Sequence, residues 1–201
     1  MAVEIELKAH LDEFEPVRER LFTMGEYCRA YIKSDVYWLP AQTAAMQVAA
    51  GPSSLPSGVR VRCQRGVNAD GSAFDSVLVT YKTKEITDGI EVNDESEFTV
   101  SDAAPFEELL LHFGLRQTHH KEKKGWAWLM PAPEGQPAIL AEISLVEGLG
   151  WFLEIEIQAA DNDRQTVEKS RRRLLTLLEA LEIPAERIES RPYTVMLMEA
   201  G

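Results

Sequence analysis

Cysteine is scarce in this chain. Cys28 and Cys63 are the two present in 201 residues, with no CxxC pair and no companion histidine spacing. That excludes a disulfide framework and a cysteine-built zinc site, and it predicts two reduced thiols in a cytoplasmic protein. Positive charge is also in deficit: the formal net charge is −12. An acidic balance argues against nucleic acid or an anionic membrane as the partner, although it leaves room for a local basic pocket. No apolar run approaches the roughly 18 residues of a membrane-spanning helix. No basic stretch followed by an apolar one marks a leader. Neither a P-loop nor a glycine-rich dinucleotide loop is found, so any phosphate would be held by side chains. The segment 40–58 lacks charge altogether, carries three prolines, and reads as a long mobile loop.

What the chain does contain is strand-like alternation. Residues 3–9, 59–65, 76–85, 92–100, 119–130, 138–147 and 151–158 read as strands, and 26–39 as one or two more. Helices are expected over 14–24, with Pro16 in its first turn and Gly25 at its end, over 105–113 behind a Ser101 or Asp102 cap, and over 162–181. The tail 185–201 reads as a short helix or turn with a last strand around Tyr193–Met198. Strands and long helices do not alternate regularly, so a doubly wound parallel sheet is not expected. The pattern predicts one α+β domain over 1–201, built on a large antiparallel sheet or barrel with helices outside.

Period two sorts each strand into faces. Glu4, Glu6 and Lys8 share one face of the first strand, opposite Val3, Ile5 and Leu7. Elsewhere the paired charges divide by sign: Glu95/Glu97 and Glu154/Glu156 are acidic, whereas Arg60/Arg62, Lys82/Lys84 and Lys121/Lys123 are basic. A single strand of this kind is ordinarily a solvated face. Six of them, sorted by sign, point instead to a polar interior if the sheet closes. Arg and Lys there suit a ligand with several negative charges. Carboxylates among them would repel such a ligand unless a hard divalent cation stood between, so the pattern suggests a polyphosphate with Mg²⁺ or Mn²⁺.

Other residues read more plainly. His119 and His120 look like a surface pair, and His10 and His112 like structural or surface groups. Trp126, Trp128 and Trp151 fall on apolar faces and should pack. Arg171, Arg172 and Arg173 read as a solvated helix face. Tyr37, in the "DVYW" stretch after Asp35, could face the interior. Lys82 sits among other cations, which lowers an ammonium pKa and makes it a candidate base.

These motifs resemble the CYTH superfamily, the triphosphate tunnel metalloenzymes, in order from residue 4 to about 198. The ExExK signature is matched by Glu4, Glu6 and Lys8, the paired-Arg strand by Arg60 and Arg62, the next Lys by Lys82, and the following ExE by Glu95 and Glu97. The K-x-R pair appears as Lys121-Glu122-Lys123, followed by Trp126, and "VEGLGWFLEIEI" at 146–157 is similar to the family's late motif, especially in its class IV adenylate cyclase-like branch. The resemblance implies a closed eight-stranded antiparallel barrel. Lys8, Arg60, Arg62, Lys82, Lys121 and Lys123 would bind a triphosphate, with Glu95 and Glu97 orienting them. Glu4, Glu6, Glu154 and Glu156 would hold Mg²⁺ or Mn²⁺. Two positions depart: Ser144 stands where the family often has Asp, with Glu142 a candidate replacement, and Lys123 stands for Arg. The implied activity is conversion of ATP to cyclic AMP and pyrophosphate. A triphosphatase acting on inorganic, nucleoside or thiamine triphosphate is the first alternative, and a non-catalytic polyphosphate binder the second. Neither nucleic acid nor a membrane is an expected partner; a homodimer is among the assemblies allowed.

Overall fold

The computed structural model describes residues 3–43, 58–87, 90–161 and 163–200, with side chains described throughout these ranges except at 82–95. Eight antiparallel strands carry the fold: β1 (Val3–Leu11), β2 (Glu26–Pro40), β3 (Val59–Asn68), β4 (Ala73–Thr87), β5 (Ile90–Val100), β6 (Leu115–Met130), β7 (Ile139–Val146) and β8 (Gly150–Ala159). Their spatial order is β1-β5-β4-β3-β2-β6-β7-β8, and β1 pairs with both β5 and β8, so the ladder returns on itself as a barrel. The helices include α1 (Glu15–Met24), α2 (Ala103–His112), α3 (Arg164–Ala180) and α4 (Tyr193–Ala200), with a short 3-10 helix at Ala185–Arg187.

The α+β reading and most elements stand as the sequence implies. Asp102 does cap α2, accepting from the Ala104 amide, and Asp163 caps α3, accepting from Gln165 and Thr166. One element differs. The expected last strand around Tyr193–Met198 is the helix α4. Its Tyr, Thr and Val favour strands locally, but Tyr193, Val195 and Met196 are buried by neighbours, and tertiary packing outweighs that weak preference. The expected loop at 40–58 lies largely outside the described residues.

The apolar core sits outside the barrel wall. Val3, Ile5, Leu7 and Ala9 of β1, Ile143 of β7 and Leu153, Ile155 and Ile157 of β8 point outward and pack with Val17 and Leu21 of α1 and Leu174, Leu177 and Leu178 of α3. Trp128 belongs to this core, while Trp126 and Trp151 pack against it and stack on Phe14, so the three tryptophans are packing groups as expected. With the apolar face turned out, the alternating polar face must turn in.

Three glycines shape the wall. Gly148 and Gly150 take φ of 79° and 97° in the β7–β8 turn, a conformation that side chains resist, which explains the glycines of "VEGLG". At Gly125 of β6 an added Cβ would lie 1.9 Å from the Ile143 carbonyl oxygen, so β6 and β7 approach there too closely for any side chain.

Candidate active site inside the barrel

The inward faces enclose a cavity of about 430 Å³. Of the residues expected from sequence, Glu4, Glu6, Lys8, Arg60, Arg62, Glu97, Lys121, Lys123, Glu154 and Glu156 all line it. Lys82 and Glu95 pair in register on β4 and β5, but their side chains lie outside the described residues. Tyr37 lines the cavity. His119 does too; it is half-buried, which lowers its pKa, while His120 is exposed.

Charge is distributed by arc. The neighbouring strands β3, β2 and β6 contribute Arg60, Arg62, Lys33, Lys121 and Lys123, and the neighbouring strands β7, β8 and β1 contribute Glu142, Glu154, Glu156, Glu4 and Glu6. Like charges in a low-dielectric interior repel strongly, so each arc needs counter-charges.

Within the basic arc that counter-charge is Asp35, which is fully buried. Arg62 donates to it through two nitrogens, Nε to Oδ1 at 2.6 Å and a terminal nitrogen to Oδ2 at 2.9 Å, and Lys121 Nζ lies 3.0 Å from Oδ2. Burial opposes the Asp35 charge, but Arg62 and Lys121 outweigh it and hold its carboxyl well below the usual range. Arg60 donates to Thr80 Oγ1 at 2.8 Å, and the Thr80 hydroxyl donates to Glu97 at 3.1 Å. Glu97 itself lies 3.7 Å from Arg60.

The arcs meet at Glu142. Lys33 donates to both its oxygens at 2.6 and 2.8 Å, and Tyr31 donates to Oε2 at 3.1 Å. Lys123 lies 3.5 Å from Glu142 and donates to Glu154. Burial resists the Glu142 charge, yet Lys33 and Lys123 hold its pKa at about 2. Burial brings Lys33 down to about 8 against the pull of Glu142. Glu142 thus stands as a buried carboxylate beside Ser144, the position where the motif lacks its Asp. Lys33, Asp35 and Arg29 carry site charge that the sorted-pair pattern did not single out. A period-two reading of β2 would have placed Lys33 and Asp35 on one face with Tyr37. Their mixed signs hid them.

Burial first, and then the Glu4 carboxylate, push Glu156 up to about 8. Glu6 is the cross-strand partner of Glu156. Carboxylates held together at such a cost fit a hard divalent cation, which would restore their charge. Glu154 is engaged by Lys123. Among the described residues no three acidic, imidazole or thiol groups already converge as a ligand set.

The Glu156 shift has a sign that can be measured. The folded chain keeps a proton on Glu156 up to about 8, whereas the unfolded chain releases it near 4.5. The stability this group contributes is full below the lower value and is lost as pH rises through the upper one. Lys33 acts only above about 8. In chemical denaturation from pH 5 to 8 without divalent cations, Glu156→Gln should remove a downward slope that the unmodified protein shows. Equal slopes would contradict this reading of Glu156.

Comparisons with known proteins follow the same lines. No family model matches the chain. A Methanocaldococcus jannaschii protein, MJ0240, provisionally named as an adenylate cyclase, is 23% identical over 192 residues, covering 95% of this chain and 96% of that one. The PH1819 protein of Pyrococcus horikoshii is similar in structure, with a TM-score of 0.74 at 22% identity over 98% of both chains. The Hippeastrum protein HpAC1, provisionally an adenylyl cyclase and described as having a dominant triphosphatase activity, aligns with a TM-score of 0.57 at 13% identity, covering 94% of this chain and 90% of that one. The solved structures show a shared fold, and the similarity to MJ0240 along nearly the whole chain agrees with the resemblance of the ordered motifs to the CYTH superfamily.

Proposed function

We propose that the barrel interior binds the triphosphate of a nucleoside or organic triphosphate and acts on it as a class IV adenylate cyclase-like enzyme, converting ATP to cyclic AMP and pyrophosphate. One observation supports this above others: a basic arc and an acidic arc face each other across a single cavity. Lys8, Arg60, Arg62, Lys121 and Lys123, joined by Lys33, neutralise phosphate oxygens. Lys82, two residues past Thr80 on β4, completes the proposed basic set and is its proposed base. Glu95 and Glu97 orient the basic groups. Glu4, Glu6 and Glu156 would hold Mg²⁺ or Mn²⁺, with Glu154 at the margin of that set. The ion would supply charge neutralisation between carboxylate and phosphate. Phosphoryl chemistry needs chiefly positioning and electrostatic stabilisation, and fixed buried cations provide both.

Trp38, Leu39 and Gly58 also line the cavity, beside one another at the β2–β3 connection. Apolar surface there suits an organic group attached to the triphosphate. The triphosphatase alternative draws on the activity described for the Hippeastrum neighbour. Incubation with ATP or inorganic triphosphate, with and without Mg²⁺ or Mn²⁺, separates the readings. Cyclic AMP with pyrophosphate is the expected product pair. Orthophosphate release would replace the cyclase by the hydrolase, and metal-dependent thermal stabilisation without turnover would leave a binder.

A further inference from the structure

Tyr193, at the start of α4, lines the cavity although it belongs to no strand. It is 7% exposed, and its hydroxyl has no hydrogen-bond partner among the described residues. The side chain is firmly seated. α4 lays Tyr193 and Met196 against the inward-facing Val146 and Phe152, and the ring meets Phe152 edge-on with centroids 5.0 Å apart. The segment before it is tied to β1. Lys8 Nζ donates to the Arg191 carbonyl at 2.6 Å, and the Glu189 amide donates to the Lys8 carbonyl. Two ammonium groups lie over the Tyr193 ring, Lys8 at 4.6 Å and Lys121 at 4.9 Å from its centroid.

A buried hydroxyl without a partner costs free energy, and a fold retains one where something else completes the bond. Two other hydroxyls facing this site are engaged: Tyr31 donates to Glu142, and Thr80 to Glu97. Burial, then Glu154 and Glu6, push the Tyr193 phenol well above its ordinary value, so it is a donor at any physiological pH. A phenol that keeps its proton can donate, and with two ammonium ions over its ring the donated bond is best matched by an anionic oxygen. Phosphoryl oxygens are pure acceptors and are drawn to the same two lysines.

We propose that the Tyr193 hydroxyl donates a hydrogen bond to a phosphoryl oxygen of the bound triphosphate, at a subsite between Lys8 and Lys121. The C-terminal helix thereby supplies a substrate-binding residue that the strands do not. This rests on the triphosphate reading above.

The test is Tyr193→Phe in the full chain, which keeps the ring and its packing. Calorimetric titration with inorganic triphosphate and Mg²⁺ should show affinity reduced by about tenfold or more, the usual size of a hydrogen bond to a charged group. Melting of the ligand-free variant should occur at the same temperature or higher, since an unsatisfied buried group is removed. These opposite movements distinguish a ligand contact from a structural one. Unchanged affinity would overturn the proposal while leaving the triphosphate reading intact. Weaker affinity together with a lower melting temperature would also overturn it, because the hydroxyl would then be serving the fold. If the unmodified protein binds neither inorganic triphosphate nor ATP, the proposal and the reading beneath it both fall.

Discussion

Replacing Asp35 with alanine should remove about 3–5 kcal/mol of stability from the ligand-free protein, the usual result of deleting one partner of a buried ion pair. Asp35 is the one carboxylate placed among the cations of β3, β2 and β6, with Arg62 forked onto it and Lys121 alongside. Alanine would leave two buried cations facing each other and a void where the carboxylate stood. A bound polyanion would partly take the place of Asp35. Inorganic triphosphate should therefore raise the melting temperature of Asp35→Ala by more than it raises that of the unmodified protein. Thermal melts with and without the ligand check both statements. A variant as stable as the parent would show that the basic arc needs no internal counter-charge.

Arg60→Ala should do the reverse, leaving the fold nearly unchanged and disabling the site. Arg60 donates to the Thr80 hydroxyl and lies 3.7 Å from Glu97, whose side chain is 39% exposed. A partly solvated pair of this kind contributes roughly 0–1 kcal/mol. Facing a phosphate, the same guanidinium offers fixed forked donors. Losing one such preorganised donor commonly lowers turnover by about 10²–10³. Steady-state kinetics on whichever triphosphate is turned over would read this, and Arg60→Lys should fall between the two because it keeps the charge but not the fork. Unchanged kcat/KM in Arg60→Ala would remove Arg60 from the site.

Much of this was legible in the sequence because strands obey a strict period. Ile5 and Leu7 could only lie opposite Glu4, Glu6 and Lys8, and the structure puts the first pair against α1 and α3 and the others in the cavity. The same rule brought Arg60, Arg62, Lys121 and Lys123 together from strands far apart in the chain. Three features were less legible. Lys33 and Asp35 share a face, but opposite charges two residues apart look like an ordinary solvated strand. Whether Glu154 serves a cation or a lysine depends on the distance across the barrel to Lys123, which no local pattern encodes. Tyr193 sits in a stretch with strand-like composition that packing makes helical, so its place in the cavity is a tertiary fact.

The central claim is that the barrel interior is a triphosphate site. Titrating inorganic triphosphate with Mg²⁺ into the purified full-length chain, in parallel with Arg60→Ala, tests it most directly. The expected result is saturable binding of one ligand per chain, competed by ATP and strongly weakened in the variant. Absence of binding by both inorganic triphosphate and ATP, or binding that Arg60→Ala leaves unchanged, would contradict it.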